Sequence, residues 1–166
     1  MATGAQVSVA EYLSTAYRPD CDYVDGQVVE RNTGEYDHSR LQMAISGWFY
    51  LRRKQLGIHV VPEQRLRVAP QRFRIPDVTV ILGPEPTEQV LTTPPFICVE
   101  ILSRDDRMSD VQERIDDLLG FGVAHLWLID PRRRRAWHCR AEGLLEVTEL
   151  RTESSAIAMA LAELFE

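Results

Sequence analysis

Two carboxylates stand where apolar residues are expected: Asp77 in RIPDVTVILG (residues 74–83) and Glu100 in FICVEILS (residues 96–103). Both segments have the β-branched and aromatic content of buried strands. An ionised carboxylate in such a strand is costly unless something positive compensates it. A divalent cation does so directly, and Mg2+ takes one or two protein carboxylates, with water and substrate phosphate completing its octahedron. Such an ion polarises a phosphate oxygen and acidifies a bound water, so phosphodiester hydrolysis is the chemistry this pair suggests. The competing reading is structural, because acids at strand ends also face solvent or pair with arginine.

The positive side of the ledger is almost entirely arginine. Lys54 is the single lysine among 19 basic residues, which leaves no ready candidate for a lysine base near the acids. Asp110 and Arg114 are four residues apart in MSDVQERIDDLLGFG and share a helix face, an arrangement typical of a surface ion pair.

The elements that must position these residues follow from local pattern. Ser8 with Glu11 forms a capping box before a short helix in SVAEYLSTAY, which ends at Arg18-Pro19-Asp20. Asp25-Gly26 in CDYVDGQVVER predicts a hairpin. From Asp37, the spacing of Leu41, Ile45, Trp48 and Phe49 predicts a long helix ended by Gly57. HVVPEQRLRVA, RIPDVTVIL and FICVEIL read as three strands, and GPEPTEQVLTTPP (residues 83–95) as a loop. Val111, Ile115, Leu118 and Leu119 predict a second long helix closed by Gly120 or Gly122. HLWLIDP, RAWHCR and LLEVTELR read as a β-meander, with an amphipathic turn or two in AIAMALAELF. Trp127 and Trp137 fall in consecutive strands and are expected as a cross-strand pair. Pro131 to Arg135 reads as a charged hairpin turn, although clustered arginines also suit a phosphate backbone.

The chain has 166 residues, the size of one domain, and is expected to form a single domain over 1–166. No apolar run approaches a membrane span, and MATGAQVSVAEYL lacks the pattern of a secretory signal, so a cytoplasmic protein is expected. Cys21, Cys98 and Cys139 are too few and too widely spaced for a disulfide framework or zinc site. A net charge of −6 argues against indiscriminate nucleic-acid binding but leaves room for a local patch. Exposed sheet edges make a homodimer the expected assembly.

An ordered series of short motifs resembles a known family. Cys21-Asp22-Tyr23-Val24-Asp25-Gly26, Asp37-His38, Ile75-Pro76-Asp77-Val78, Val99-Glu100-Ile101-Leu102-Ser103, Asp110 with Arg114, Gly122-Val123 and Leu126 through Pro131 together resemble the Uma-two restriction endonuclease family. That family belongs to the PD-(D/E)XK nuclease superfamily. The resemblance implies an α/β (α+β) restriction-endonuclease-like core: a mixed β-sheet flanked by helices, here with an added β-meander. It implies Mg2+ or Mn2+ held by Asp77, Glu100 and the Ile101 carbonyl, with DNA as substrate. It further implies supporting roles for Asp22 and Asp110, a water or phosphate contact for His38, and a possible place at the site for Gln64.

One departure bears on mechanism. The superfamily lysine two residues after the glutamate is replaced by Leu102, and the helix position where the family carries its lysine is Arg114. Arginine can hold a phosphate but is a poor general base. Lys54 is about 24 Å along the helix from His38 and cannot substitute. Three readings therefore stand: a metal-dependent DNA endonuclease, a non-catalytic nuclease-fold protein that binds nucleic acid or serves in assembly, and a metal hydrolase of another phosphate ester.

Overall fold

The computed structural model describes residues 5–32, 34–153 and 157–166. Residues 1–4 of the N-terminal segment, Thr33, and residues 154–156, which include the first residue of AIAMALAELF, lie outside that set.

Local signals translate directly into the first elements. Helix α1 (Val9–Ser14) is capped by Ser8, whose hydroxyl accepts the Glu11 N–H at 3.1 Å. Strands β1 (Asp22–Val24) and β2 (Gln27–Val29) pair antiparallel about Asp25 and Gly26, both left-handed at φ 48° and 91°, as a tight hairpin requires. Helix α2 (Tyr36–Leu56) ends at Gly57, which takes the left-handed conformation at φ 64°. Its N-cap is Glu35, and Asp37 lies in its first turn.

Two of the three strands expected next each break in two. HVVPEQRLRVA forms β3 (Ile58–Pro62) and β4 (Leu66–Ala69), separated by a left-handed Glu63 at φ 50°. RIPDVTVIL (residues 74–82) supplies only its first residue to β5 (Arg72–Arg74), which begins ahead of it, and its last five to β6 (Val78–Leu82). Pro76 has no N–H to give a ladder, so the chain leaves one sheet before it and enters another after it. Asp77 therefore stands just ahead of a strand, not inside one.

The remaining elements are β7 (Ile97–Ile101), α3 (Met108–Phe121), β8 (His125–Asp130), β9 (Arg135–Arg140), β10 (Gly143–Val147), β11 (Glu149–Arg151), β12 (Ala158–Ala160) and a 3-10 turn over Leu161–Phe165. The expected C-terminal amphipathic turn is thus a short strand followed by that turn, which buries Leu161 and Leu164.

Six strands form the main sheet in the order β10-β9-β8-β7-β6-β3. All its pairs are antiparallel except β7 with β8, which are joined through α3 and run parallel, as a βαβ crossover demands. A second sheet, β2-β1-β5-β4, carries the hairpin, and β11 pairs with β12. Helix α2 packs Leu41, Ile45 and Phe49 on one face of the main sheet, against Val78, Val80, Val99 and Trp127. Helix α3 packs Val111, Ile115 and Leu118 on the other, against Cys98, Leu126 and Leu128. With helices on both faces, β7 is buried along its whole length, which is why FICVEIL shows no polar alternation beyond Glu100.

The register separates the two tryptophans. Trp127 faces His138 and Trp137 faces Leu128, so the rings lie on opposite sides of the sheet and are not a cross-strand pair. Trp127 instead stacks on Phe49 and on His138. Pro131 to Arg134 is a turn, with the backbone N–H groups of Arg132 and Arg133 donating to Asp130 Oδ1. The three cysteines are free and buried. Among the described residues no helix is long and apolar enough to cross a membrane.

Gly122, at the end of α3, has φ 107° and leaves Pro94 Cγ only 3.2 Å from where a Cβ would lie. Gly122→Ala is expected to destabilise the protein by about 1–2 kcal/mol through the left-handed backbone, with the proline contact adding to it. Gly83 has φ 92° with open space around it, so Gly83→Ala should cost less. Paired urea unfolding curves measure the difference.

Candidate active site

The break at Pro76 places Asp77 where two sheets and a helix meet. Its Oδ2 accepts the Ile101 N–H at 2.7 Å, tying the segment ahead of β6 to the end of β7. Gln42 of α2 donates to its carbonyl oxygen at 2.8 Å, as does the Glu63 N–H at 3.3 Å. The other carboxylate oxygen, Oδ1, accepts from Arg31 at 3.0 Å and lies 3.3 Å from His38 Nε2. Burial alone would lower the His38 pKa, but the hydrogen bond and charge of Asp77 raise it above the ordinary imidazole value.

Glu100 lies on β7, on the face covered by α3, where Arg114 Nε donates to its Oε2 at 3.3 Å. Arg114 also donates to Asp106 Oδ1 at 3.2 Å. Burial pushes the Glu100 carboxyl up to about 7; Arg114 opposes this, while Asp77 and Asp22 add to it. The folded protein thus holds a proton on Glu100 to near pH 7, whereas an unfolded glutamate releases it near 4.5. Between those values the folded state binds more protons, so in the presence of a chelator stability should fall as pH rises. Glu100→Gln is expected to flatten that fall, as seen in denaturation midpoints at pH 5 and pH 8.

Asp22 is buried at the start of β1, and both of its oxygens are engaged. Oδ1 accepts the Ile75 N–H at 3.1 Å, and Oδ2 accepts from Arg74 NH1 at 3.1 Å. Burial raises its pKa and Arg74 opposes the rise. Arg74 is 3% exposed and also reaches Asp117 at 2.7 Å and Glu113 at 3.5 Å, linking the small sheet to α3.

These groups line a cavity of about 510 Å³. Asp22, His38, Asp77, Glu100, Ile101 and Arg114 all line it, as does the exposed Asp110. Arg114 turns to Glu100 and Asp106 rather than forming the expected pair with Asp110, whose Oδ1 accepts from Ser109 at 3.3 Å. Gln64 is not among the lining residues: its amide donates to the carbonyls of Arg65 at 3.0 Å and Gln89 at 2.8 Å. Sequence reasoning missed Arg31, Asp106 and Arg74. Arg74 carries a signal, since Arg72 and Arg74 stand two apart in a short strand and so share one face, opposite Phe73. Arg31 and Asp106 lie in loops whose local sequence carries none.

Eight carboxylates and four arginines line the cavity, so its formal charge is negative and the charge it lacks is positive. Among the described residues no cluster of three or more His, Cys, Asp or Glu side chains forms a metal cage. Asp77 and Glu100 nevertheless fit the smaller demand of Mg2+ or Mn2+, which takes one or two carboxylates and keeps most of its waters. The under-compensated Glu100 carboxyl is the observation that carries this fit, because a bound cation would offset the burial and neighbouring acids that hold its proton.

A search of the curated proteins found no match. Among solved structures, the fold resembles that of a putative nuclease belonging to DUF820 from Anabaena variabilis ATCC 29413. The TM-score is 0.79 at 19% identity, with 96% of this chain and 97% of that chain covered. The core is therefore the restriction-endonuclease-like one expected, a mixed sheet between helices. The sequence model described as "Uma2: Putative restriction endonuclease" matches residues 9–165, and the chain belongs to that family.

Proposed function

We propose that this chain is a divalent-metal-dependent endonuclease that hydrolyses DNA phosphodiester bonds. The observation that carries the reading is the pair of buried acids, Asp77 and Glu100, on one cavity wall, with His38 3.3 Å from the first and Arg114 3.3 Å from the second. Asp77 and Glu100 would hold Mg2+ or Mn2+, with the Ile101 carbonyl as a further oxygen. When bound, the ion supplies Lewis-acid polarisation of a phosphate oxygen and an acidified water. Asp22 supports the acids by fixing the Ile75 backbone and Arg74. Arg114 keeps its charge at any accessible pH, since Glu100 and Asp106 raise its pKa further against the effect of burial. It therefore orients Glu100 and offers its charge to a phosphate, but takes no proton. His38 can hold a proton at Nε2. Asp110, exposed and lining the cavity, supports the site in this reading as a further acid. Gln64, tied to two carbonyls, has no part in this reading.

The reading includes one domain over 1–166, a cytoplasmic location and a homodimer. A second reading has its own support: Arg31 beside Asp77 and Arg114 beside Glu100 give each acid a cationic neighbour from within the chain, which would suit a non-catalytic nucleic-acid-binding or assembly protein. Calorimetry separates the two. The endonuclease reading expects Mn2+ binding that Glu100→Gln abolishes, together with plasmid nicking that EDTA stops. Absence of any Mn2+ heat with the wild-type chain would overturn it in favour of the second.

A further inference from the structure

The two acids of the cavity differ in what they leave free. Glu100 accepts Arg114 Nε on Oε2, and among the described residues nothing donates to its Oε1. Asp77 has both oxygens engaged. Oδ2 accepts the Ile101 N–H at 2.7 Å, which ties it to the backbone of β7. Oδ1 meets two groups from the cavity wall, Arg31 at 3.0 Å and His38 Nε2 at 3.3 Å. A carboxylate oxygen has about two lone-pair directions, so both on Oδ1 are in use. A cation reaches this oxygen only as one of its two partners leaves.

Arg31 is the partner that has to go. A guanidinium keeps its charge and is repelled by a divalent cation on the same oxygen, whereas an imidazole can stay there uncharged. His38 is also buried in the first turn of α2, while Arg31 stands in the loop that follows β2. The guanidinium has a second acid within reach, since its NH1 lies 3.9 Å from Glu63 Oε1. The Glu63 N–H donates to the Asp77 carbonyl at 3.3 Å, which keeps this acid beside the site. Its side chain is nevertheless 45% exposed and lies outside the cavity lining. A short swing of Arg31 exchanges a buried acid for an exposed one.

We propose that Arg31 is a displaceable counter-ion: it holds Asp77 Oδ1 in the metal-free protein and turns onto Glu63 when a divalent cation binds, so that its departure sets how tightly the site takes its metal. Arg114 needs no such move, because Oε1 of Glu100 is open. The proposal rests on the metal site of the reading above and adds to it the residue that opposes loading.

Mn2+ calorimetry on the full chain tests this. Arg31→Gln is expected to bind Mn2+ at least about tenfold more tightly than wild type and to show a larger Mn2+-dependent rise in Tm. Arg107 lines the same cavity and pairs with no acid among the described residues, so Arg107→Gln removes the same charge without touching Asp77. It should change the affinity by less than about threefold, since an exposed charge is screened. Glu63→Gln should weaken Mn2+ binding by about threefold in the wild-type chain and leave it unchanged beside Arg31→Gln, because Glu63 acts only by receiving the displaced guanidinium. Unchanged or weaker binding by Arg31→Gln would overturn the proposal, as would equal tightening by Arg107→Gln or a Glu63 effect that persists without Arg31. Should Arg31→Gln fail to fold, the Glu63→Gln arm decides, and undiminished Mn2+ binding there would overturn it. Each of these failures leaves the metal reading intact, because Mn2+ binding that Glu100→Gln abolishes would still be seen. No Mn2+ heat from either the wild type or Arg31→Gln would instead overturn that reading, and the proposal with it.

Discussion

Asp77→Asn is expected to leave a folded protein whose metal-dependent DNA cleavage is reduced by about 10³-fold or more. On the proposed mechanism the substitution removes one of two charged donors to the cation, and the ion's charge stabilisation is worth several kcal/mol in the transition state. The fold should survive because an asparagine carbonyl can still accept the Ile101 N–H now bonded at 2.7 Å, and the Gln42 bond reaches the backbone rather than the side chain. What changes is the other side-chain position. There an amide would face Arg31 and His38, two donors that now meet Oδ1. His38 loses the hydrogen bond and charge that raise its pKa, so its titration, followed by NMR, should move to lower pH. Cleavage within tenfold of wild type would remove Asp77 from the site. Lost cleavage with an unmoved His38 titration would mean that the geometry around Oδ1 is not as described.

The parts of this fold that are legible in the sequence carry their chemistry locally. The hairpin is written in Asp25-Gly26, because only a short list of residues tolerates two consecutive left-handed conformations. The ends of α2 and α3 are written in Gly57 and Gly122 for the same reason. The splits between β3 and β4 and between β5 and β6 are harder to see. Each falls inside a run whose composition suits a strand throughout, and which sheet a strand joins depends on partners far along the chain. The site divides along the same line. Asp77, Glu100 and Arg114 stand out because charged residues interrupt apolar patterns or match a motif series. Arg31 reaches Asp77 across 46 positions of sequence, from a loop with no pattern to interrupt. The swap of Asp110 for Asp106 as the Arg114 partner has a similar origin: helix spacing brings Asp110 within reach, but Glu100 and Asp106 offer a buried site in which the guanidinium bridges two acids.

The composition of a nearly lysine-free chain also acquires a structural meaning. A guanidinium with several donors in a plane can serve two or three carboxylates at once, whereas an ammonium is a compact, strongly hydrated point charge. Arg31, Arg72, Arg74 and Arg114 each contact at least two acids around or beside the cavity. Together they let the chain concentrate acidic groups there in the absence of a cation.

Among these, Arg74→Ala is expected to have the largest effect on stability, a loss of about 3–5 kcal/mol. Its side chain is 4% exposed and is paired with the 3% exposed side chain of Asp22, so truncation strands a buried carboxylate without its paired charge. Asp117 and Glu113 lose a partner as well, although Arg72 still reaches both, at 2.8 Å and 3.2 Å. Arg72 provides the comparison: it contacts three acids, but its side chain is 26% exposed, and solvent screening should hold the cost of Arg72→Ala to about 1 kcal/mol or less. In a protein of this size the Arg74 loss corresponds to a fall of roughly 10 °C in Tm. Asp22→Asn in the Arg74→Ala background should recover part of it, because the stranded charge is removed with its partner, and the double-mutant cycle reads that coupling directly. Equal losses for Arg72→Ala and Arg74→Ala would show that burial does not set the strength of this network.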